Sequence, residues 1–333
     1  MRFTDCDVQL AADRSIQAKI ATPAESNDPL VNAVADGTWR PSDALRWLLL
    51  NIKPGDRVLD LGAHIGTFSL LAARLGAQVT AVEASPGNAE LLNVAREANG
   101  LSDAVTIIQA AVANEIGEVS FADQGPYGTI ETEHTGRASG WAIITVTATT
   151  IDSLAPDPYD WIKMDIEGAE CAAIAGGART LGLARGLAVE SNGYMLGEHG
   201  ASVRELISSL HALGYRAYSA VGTTLAPIGR RAFQPETTVD YVAVTGGKPP
   251  VLPPGWELGK VRSRSDLRRA LVGELGHPVP QHRACALSVA RRAPLWARCS
   301  PTLRRAVQAL DDDSDPHVAY VRDRGDRGAT LDM

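Results

Sequence analysis

The sequence predicts a doubly wound α/β fold: a mostly parallel seven-stranded sheet with an antiparallel last strand. Three observations carry that prediction. From residue 57 to about 193, short apolar runs alternate with helical patterns, which is the rhythm of βα units around a parallel sheet. The first run, Val58-Leu59-Asp60-Leu61, leads into a glycine loop from Gly62 to Gly66, where the backbone can approach a ligand closely. The last two runs, 215–220 and 239–244, have no helical pattern between them and should therefore pair antiparallel.

The elements follow in order. Residues 58–61 read as a strand, and 67–75 as the helix after the glycine loop. Gln78-Val79-Thr80-Ala81-Val82-Glu83 is the second strand. Ser85 and Pro86 open a helix that runs to about Asn99, with Ser85 as N-cap and Pro86 at the first helical position. Asn99-Gly100 closes it, and 105–108 is the third strand. The rhythm then changes. Residues 118–121 and 141–148 are strand-like, with only the glycine-rich segment 125–140 between them, which predicts an inserted β-ribbon. Residues 159–164 resume as a buried strand, followed by a loop and a helix from Ala169 to about Ala175. Residues 186–190 form the fifth strand, and 203–213 an amphipathic helix ended by Gly214.

The 333 residues divide into a lead-in segment with strand character (1–40), the α/β domain (41–246) and a C-terminal extension (247–333) that starts in the linker Gly246-Gly247-Lys248-Pro249-Pro250. In the extension Leu267, Leu271 and Leu275, then Leu303, Val307 and Leu310, recur at helical spacing, and prolines cut the segment into short helices. This predicts a helical appendage with an acidic tail, docked on the body or pairing two subunits.

The net charge of −7 hides an uneven distribution: 260–305 carries +9, 306–333 carries −4, and the remaining chain −12. An acidic body argues against nucleic acid or an anionic membrane as partner, since both are polyanions. Cys6, Cys171, Cys285 and Cys299 are scattered without a Cys-x-x-Cys pair, which argues against a disulfide scaffold or a structural zinc site. The polar first thirty residues do not read as a secretory signal, and no apolar run is long enough to span a bilayer. The expected location is the cytoplasm.

In open α/β sheets ligands bind beyond the carboxyl ends of the strands. The loop after the first strand reads Asp-x-Gly-x-x-x-Gly, not the Gly-x-Gly-x-x-Gly that seats a pyrophosphate. The acid Asp60 at the strand end would repel a diphosphate but suits a ligand with an amino group and a sulfonium. Both details favour S-adenosylmethionine over NAD. Glu83 ends the second strand, 23 positions after Asp60, where a carboxylate can accept from both ribose hydroxyls. The fourth strand runs into Lys163-Met164-Asp165-Ile166-Glu167-Gly168-Ala169-Glu170, a lysine and three carboxylates at the mouth of the same sheet. Such a group is costly to bury without partners. Glu190 and Asn192 add to the same rim after the fifth strand.

These segments, "VLDLGAHIGTFSLLAARLG", "VTAVEASPGNAELLNVAREANGL", "TTIDSL" and "DWIKMDIEGAE", resemble the FkbM family of S-adenosylmethionine-dependent methyltransferases over residues 37–244. The resemblance implies the class I (Rossmann-like) methyltransferase fold and O-methylation of a hydroxyl on a sugar or secondary metabolite. It implies that Asp60, Gly62, Ala63, His64 and Gly66 bound the methionine part of the cofactor. Glu83 and Ala84 would hold the ribose, Ala110 and Ala111 would edge the adenine, and Asp165 would lie beside the reacting methyl. The chain has His64 where the family commonly has Asn, and Trp39-Arg40-Pro41 where family members often show an aromatic-Glu-Pro triplet.

A hydroxyl acceptor has a high pKa and benefits from a general base or a metal. The candidate catalytic residues are Asp165, Glu167, Glu170 and His64, with His199 placed as a lid or loop residue. Asp165, Glu190 and Asn192 could ligate a divalent ion, but the expectation is a site without metal. The rival readings are a non-catalytic S-adenosylmethionine-binding module and an NAD(P)-dependent oxidoreductase. The glycine spacing disfavours the second. Base methylation of nucleic acid is opposed by the acidic body and by the lack of an Asn-Pro-Pro-Tyr-like segment.

Overall fold

A computed structural model describes residues 1–123, 128–132, 142–154, 157–228, 238–246, 249–261, 263–278, 300–311 and 313–315, together with 283, 286–287, 289–290 and 318. Of the expected glycine-rich connection at 125–140 only 128–132 is described, and most of the acidic tail lies outside these residues.

The chain opens with an antiparallel hairpin, β1 (Arg2–Ala11) and β2 (Arg14–Thr22), followed by helix α1 (Pro29–Ala35) and helix α2 (Asp43–Asn51). The βα units then follow: β3 (Arg57–Leu61), α3 (Thr67–Arg74), β4 (Gln78–Glu83), α4 (Pro86–Ala98) and β5 (Val105–Gln109). Next comes the insert, β6 (Ala111–Val112), β7 (Gly117–Asp123), β8 (Thr129–Ile130) and β9 (Ala142–Thr149). The main sheet resumes with β10 (Trp161–Met164), α5 (Glu170–Ala175), α6 (Ala178–Leu181), β11 (Gly186–Asn192), α7 (Gly193–Glu198) and α8 (Val203–Ala212). It ends with β12 (Arg216–Val221), β13 (Thr224–Pro227), β14 (Thr238–Val244) and β15 (Glu257–Leu258), and helices α9 (Arg264–Leu275) and α10 (Pro301–Gln308) close the description.

Seven strands stand in the order β12-β14-β11-β10-β3-β4-β5. All neighbours from β11 to β5 are parallel, and β14 is antiparallel to both β11 and β12, as the missing helix between the last two apolar runs requires. Two short strands the sequence pattern did not announce, β13 and β15, extend the sheet beyond β12. The insert forms its own four-stranded sheet, β6-β9-β7-β8, with β7 and β9 paired antiparallel as a ribbon.

Chain order reverses between β3 and β10. From β3 the sheet grows through β4 to β5, and β10 is added on the other side. The carboxyl ends of β3 and β10 are therefore the switch point where a doubly wound sheet offers its crevice. Both strands are apolar because both faces are covered. Val58 and Trp161 belong to a core shared with the hairpin, α2, α3 and α4, whereas Leu59, Leu61, Ile162 and Met164 face a second core with α5, α6 and α8. Trp47 of α2 meets Trp161 edge-on at 5.8 Å.

Helix boundaries follow local chemistry. Ser85 caps α4 with Pro86 behind it, as read from the sequence, and Asp28 and Pro29 open α1 in the same way. Helices α9 and α10 share a small separate cluster of Leu271, Leu275, Leu303 and Leu310, against which Tyr194 of α7 packs. Among the described residues no helix is long and apolar enough to cross a membrane.

Candidate active site

A cavity of about 420 Å³ opens at the switch point, within the roughly 300–1,000 Å³ range of small-molecule sites. Its walls come from the loop after β3, the ends of β4 and β5, the segment after β10, the end of β11 and the start of β14.

The glycine loop is shaped by one close approach. Gly62 has φ +77°, and a Cβ there would fall 1.8 Å from the carbonyl oxygen of Asp165, so only glycine lets the β3 and β10 loops touch. The amides of Gly62 and Ala63 donate to Val82 O on β4, and that of His64 donates to Glu83 Oε2 at 2.7 Å. The other oxygen of Glu83 accepts from Ser85 N at 2.9 Å and from Asn88 Nδ2. Burial pushes the Glu83 carboxyl up, against the pull of His64 and these hydrogen bonds.

Of the residues expected to hold a cofactor, Gly62, Ala63, His64, Glu83, Ala84, Ala110, Ala111 and Asp165 line the cavity. Asp60 and Gly66 do not. Gly66 is the N-cap of α3 and lies against Leu92. Asp60 is fully buried one layer below, where its Oδ2 accepts from Ser69 Oγ at 2.6 Å and its Oδ1 lies 3.3 Å from Lys163 Nζ. The physical reason is register: Lys163 of β10 stands directly beside Asp60 of β3 and reaches from there to Gly62 O and to Asp165 Oδ2 at 3.4 Å. Burial works against the ammonium, yet Asp60 and Asp165 raise its pKa above the ordinary lysine value.

The acidic end of the cavity gathers four carboxyls. Asp165, Glu167 and Glu190 each bring an oxygen within 4.8 Å of the others, and Asp240 joins them from β14, where it stands opposite Glu190. Burial disfavours the Asp165 anion, but Lys163 and a hydrogen bond with Glu190 hold its carboxyl below the usual range. Glu167 and Glu190 are pushed well above theirs, first by burial and then by Asp165. Burial also pushes Asp240 up to about 6, although Ser42 donates to it. A divalent cation could sit among Asp165, Glu167 and Glu190 through oxygen, but Lys163 already supplies a positive charge at Asp165. Asn192, the third expected metal ligand, instead caps α7.

Glu170 is not a cavity residue. Its Oε1 accepts from Ile166 N and Gly168 N, both at 3.2 Å, so it braces the loop after β10 from below. Burial raises it to about 7. Glu167, by contrast, is turned to the cavity by a left-handed backbone, φ +50°. Thr129 of the ribbon donates to Glu167 O at 2.8 Å and accepts from His199 Nε2 at 2.8 Å. Burial pushes His199 down to about 4, so it serves here as a neutral donor.

Sequence reading missed Asp28, Thr129 and Asp240 as site residues. An acid inside the apolar run Val-Asp-Tyr-Val-Ala-Val was a usable signal for Asp240; the other two reach the site only through the fold. The chain does contain one Tyr-x-x-x-Lys spacing, Tyr159 and Lys163, of the kind an oxidoreductase could use. The Tyr159 hydroxyl donates to Leu154 O at 3.3 Å while Lys163 serves Asp60, so the two do not form a pair.

The residues lining the cavity fit S-adenosylmethionine: a fixed carboxylate for ribose, small apolar residues for a base, main-chain groups of a glycine loop, and an anion at the far end. Comparison with known proteins agrees. Residues 60–217 match the methyltransferase FkbM domain. Local similarity extends to the 23S rRNA (uracil(1939)-C(5))-methyltransferase RlmD of Shewanella sp. (strain ANA-3), 48% identical over 65 residues, which is 19% of this chain and 13% of that protein. It also extends to the ubiquinone biosynthesis O-methyltransferase of Xanthomonas campestris pv. campestris (strain B100), 46% identical over 68 residues, 19% of this chain and 27% of that protein. The chain thus spans 13% to 27% of the length of these relatives. Among solved structures, the methyltransferase FkbM from Methylobacillus flagellatus KT superposes with a TM-score of 0.41 at 18% identity, covering 65% of this chain and 52% of that one. The O-methyltransferase from Bacillus cereus in complex with SAH gives 0.34 at 16%, covering 67% and 84%.

Proposed function

Because residues 60–217 match the methyltransferase FkbM domain, we propose that this protein is an S-adenosyl-L-methionine-dependent methyltransferase that acts on a hydroxyl group of a small molecule, a sugar or a secondary metabolite. The observation that carries the reading is one cavity that joins the fixed carboxylate of Glu83 to the acids Asp165 and Glu167 across the switch point. When bound, S-adenosylmethionine supplies a methyl group activated by its sulfonium.

The chain's own groups divide the work. Glu83 is held rigid by two backbone amides and keeps lone pairs for the ribose hydroxyls. Ala84, Ala110 and Ala111, which line the cavity, would flank the adenine without polar competition. Asp165 remains an anion against Lys163 and orients the reacting groups. Glu167 faces the cavity, and burial and Asp165 raise its pKa, which makes its carboxylate the stronger base, so it takes the proton of the acceptor hydroxyl. The carboxyls that crowd the acceptor end disfavour a polyanionic substrate such as nucleic acid. Within this reading 41–246 is the catalytic unit and 247–333 an appendage to it.

Calorimetric titration tests the proposal. S-adenosylmethionine should bind and NAD should not, and the reverse outcome would sink it. A protein that binds S-adenosylmethionine yet transfers no labelled methyl to small-molecule extracts of its own cells would instead be a binding module.

A further inference from the structure

The lead-in segment supplies one wall of the cavity through Pro29, Leu30, Trp39 and Arg40. A buried side chain, Asp28, hydrogen-bonds it to the glycine loop. Asp28, 8% exposed, uses its two oxygens differently. Oδ1 accepts from the backbone amides of Leu30 (2.8 Å) and Val31 (3.0 Å), which closes the N-terminus of α1. Oδ2 lies 2.9 Å from His64 Nε2. The residues are 36 positions apart, so this is a tertiary contact and not part of the cap.

His64 is itself held at two points. Its backbone is left-handed, φ +51°, a conformation that histidine and asparagine adopt more readily than most residues. Its amide donates to Glu83 Oε2, and its ring reaches Asp28. One residue thus links the carboxylate at the end of β4 to the carboxylate at the start of α1. Releasing the ring removes one of the two restraints on this residue, whose amide aims Glu83.

We propose that Asp28 is a positioning residue for the cofactor: acting through His64, it fixes the loop that aims Glu83 and couples filling of the cavity to the docking of residues 29–35. The proposal rests on the reading that the cavity takes S-adenosylmethionine. Because a carboxylate only accepts, Nε2 of His64 carries the proton in this arrangement. Pro29 and Leu30 line the cavity directly after Asp28, so a ligand against them and a ligand against Glu83 press on the two ends of the same link.

The experiment compares the full-length protein with Asp28→Ser, because serine caps a helix about as well as aspartate but is too short to reach the imidazole. Four measurements are made: S-adenosylmethionine affinity by calorimetry, the melting temperature without ligand, the ¹⁵N-edited signal of the His64 ring N–H, and hydrogen exchange of residues 29–35 with and without S-adenosylmethionine. In the wild type the ligand should slow exchange at 29–35. In Asp28→Ser the ring N–H signal should be lost, affinity should fall by about tenfold or more, as for a hydrogen bond to a charged group, and ligand protection of 29–35 should disappear. The melting temperature should move by no more than about 2 °C, since the cap is retained. Affinity within about twofold of wild type despite loss of the ring signal would overturn the proposal, on the scale of a link too weak to matter. So would a wild type in which S-adenosylmethionine binds without changing exchange at 29–35, an outcome that needs no variant to fold. A wild type that does not bind S-adenosylmethionine at all refutes the underlying reading, and the proposal falls with it.

Discussion

Lys163 and Asp60 stand side by side on adjacent parallel strands, the ammonium 3.3 Å from the carboxylate, with neither residue more than 5% exposed. This pair joins the strand that ends in the glycine loop to the strand that ends in the acid cluster. A buried pair of this kind adds little compared with two apolar residues, but removing one partner strands the other in a dry environment. Lys163→Met leaves both Asp60 and Asp165 without their cation. Urea denaturation should show a loss of roughly 3–5 kcal/mol, and Asp60→Asn in the same chain should recover part of it. A loss below about 1 kcal/mol, the level of an exposed pair, would show the ammonium to be dispensable.

Glu83→Ala removes the carboxylate that would hold the ribose. Hydrogen bonds to a charged group are each worth about 1.5–3 kcal/mol, so S-adenosylmethionine affinity should fall at least about tenfold while the circular dichroism spectrum stays unchanged. Unaltered affinity would remove Glu83 from the cofactor site.

Much of this layout was legible in the sequence because it is local. The Val58–Leu61 run, the strand ending in Glu83 and the buried Trp161–Met164 segment carry their own periodicity. Ser85-Pro86 states a helix start without any tertiary help. The role of Asp60 was not legible, because a carboxylate at a strand end can face a ligand or a neighbouring strand, and only the register with Lys163 decides between them. Glu167 and Glu170 look alike in sequence, yet one faces the cavity and the other braces a loop, and a left-handed turn at Glu167 and Gly168 makes the difference. Asp28, Thr129 and Asp240 come from segments far away along the chain, and no pattern in those segments names their partner.

Glu167→Gln should lower turnover by about 10²–10⁴-fold, the usual worth of a general base, with cofactor affinity retained. The wild type should also lose activity as pH falls through the raised pKa of Glu167, because the protonated carboxyl cannot accept the acceptor's proton. Gln at this position abolishes that acid limb. An acid limb that survives in the variant would assign it to another group.

Asp240 gives a stability prediction with a definite sign. Its carboxyl is raised from 3.8 to about 6 in the folded protein, so the native state binds more protons than the unfolded chain between those values. Stability contributed by the protonated form is then lost as pH rises from about 4 to about 6. Asp240→Asn should stabilise the protein at pH 7 by on the order of 1–3 kcal/mol and have little effect at pH 3.5. Melting curves at the two pH values check this, and an equal effect at both would refute it.

Chelation tests the acid cluster. Lys163 supplies a cation to Asp165, and the raised pKa of Glu190 reduces the charge that remains. Methyl transfer should therefore be unaffected by EDTA and not increased by magnesium. Loss of turnover on chelation, restored by magnesium, would make Asp165, Glu167 and Glu190 a metal site.

The two short strands added beyond β12 bear on how the molecule behaves in a crowd. An unpaired sheet edge is a template on which another chain can add a strand. Here that side of the sheet ends in β15, two residues long, which can offer only a stub of backbone to a newcomer. Among the described residues the opposite edge, β5, is five residues long and pairs within this sheet only with β4. Self-assembly by sheet extension is thus closed off on one flank, and a misfolding or aggregation route that uses this sheet would have to begin at Val105–Gln109.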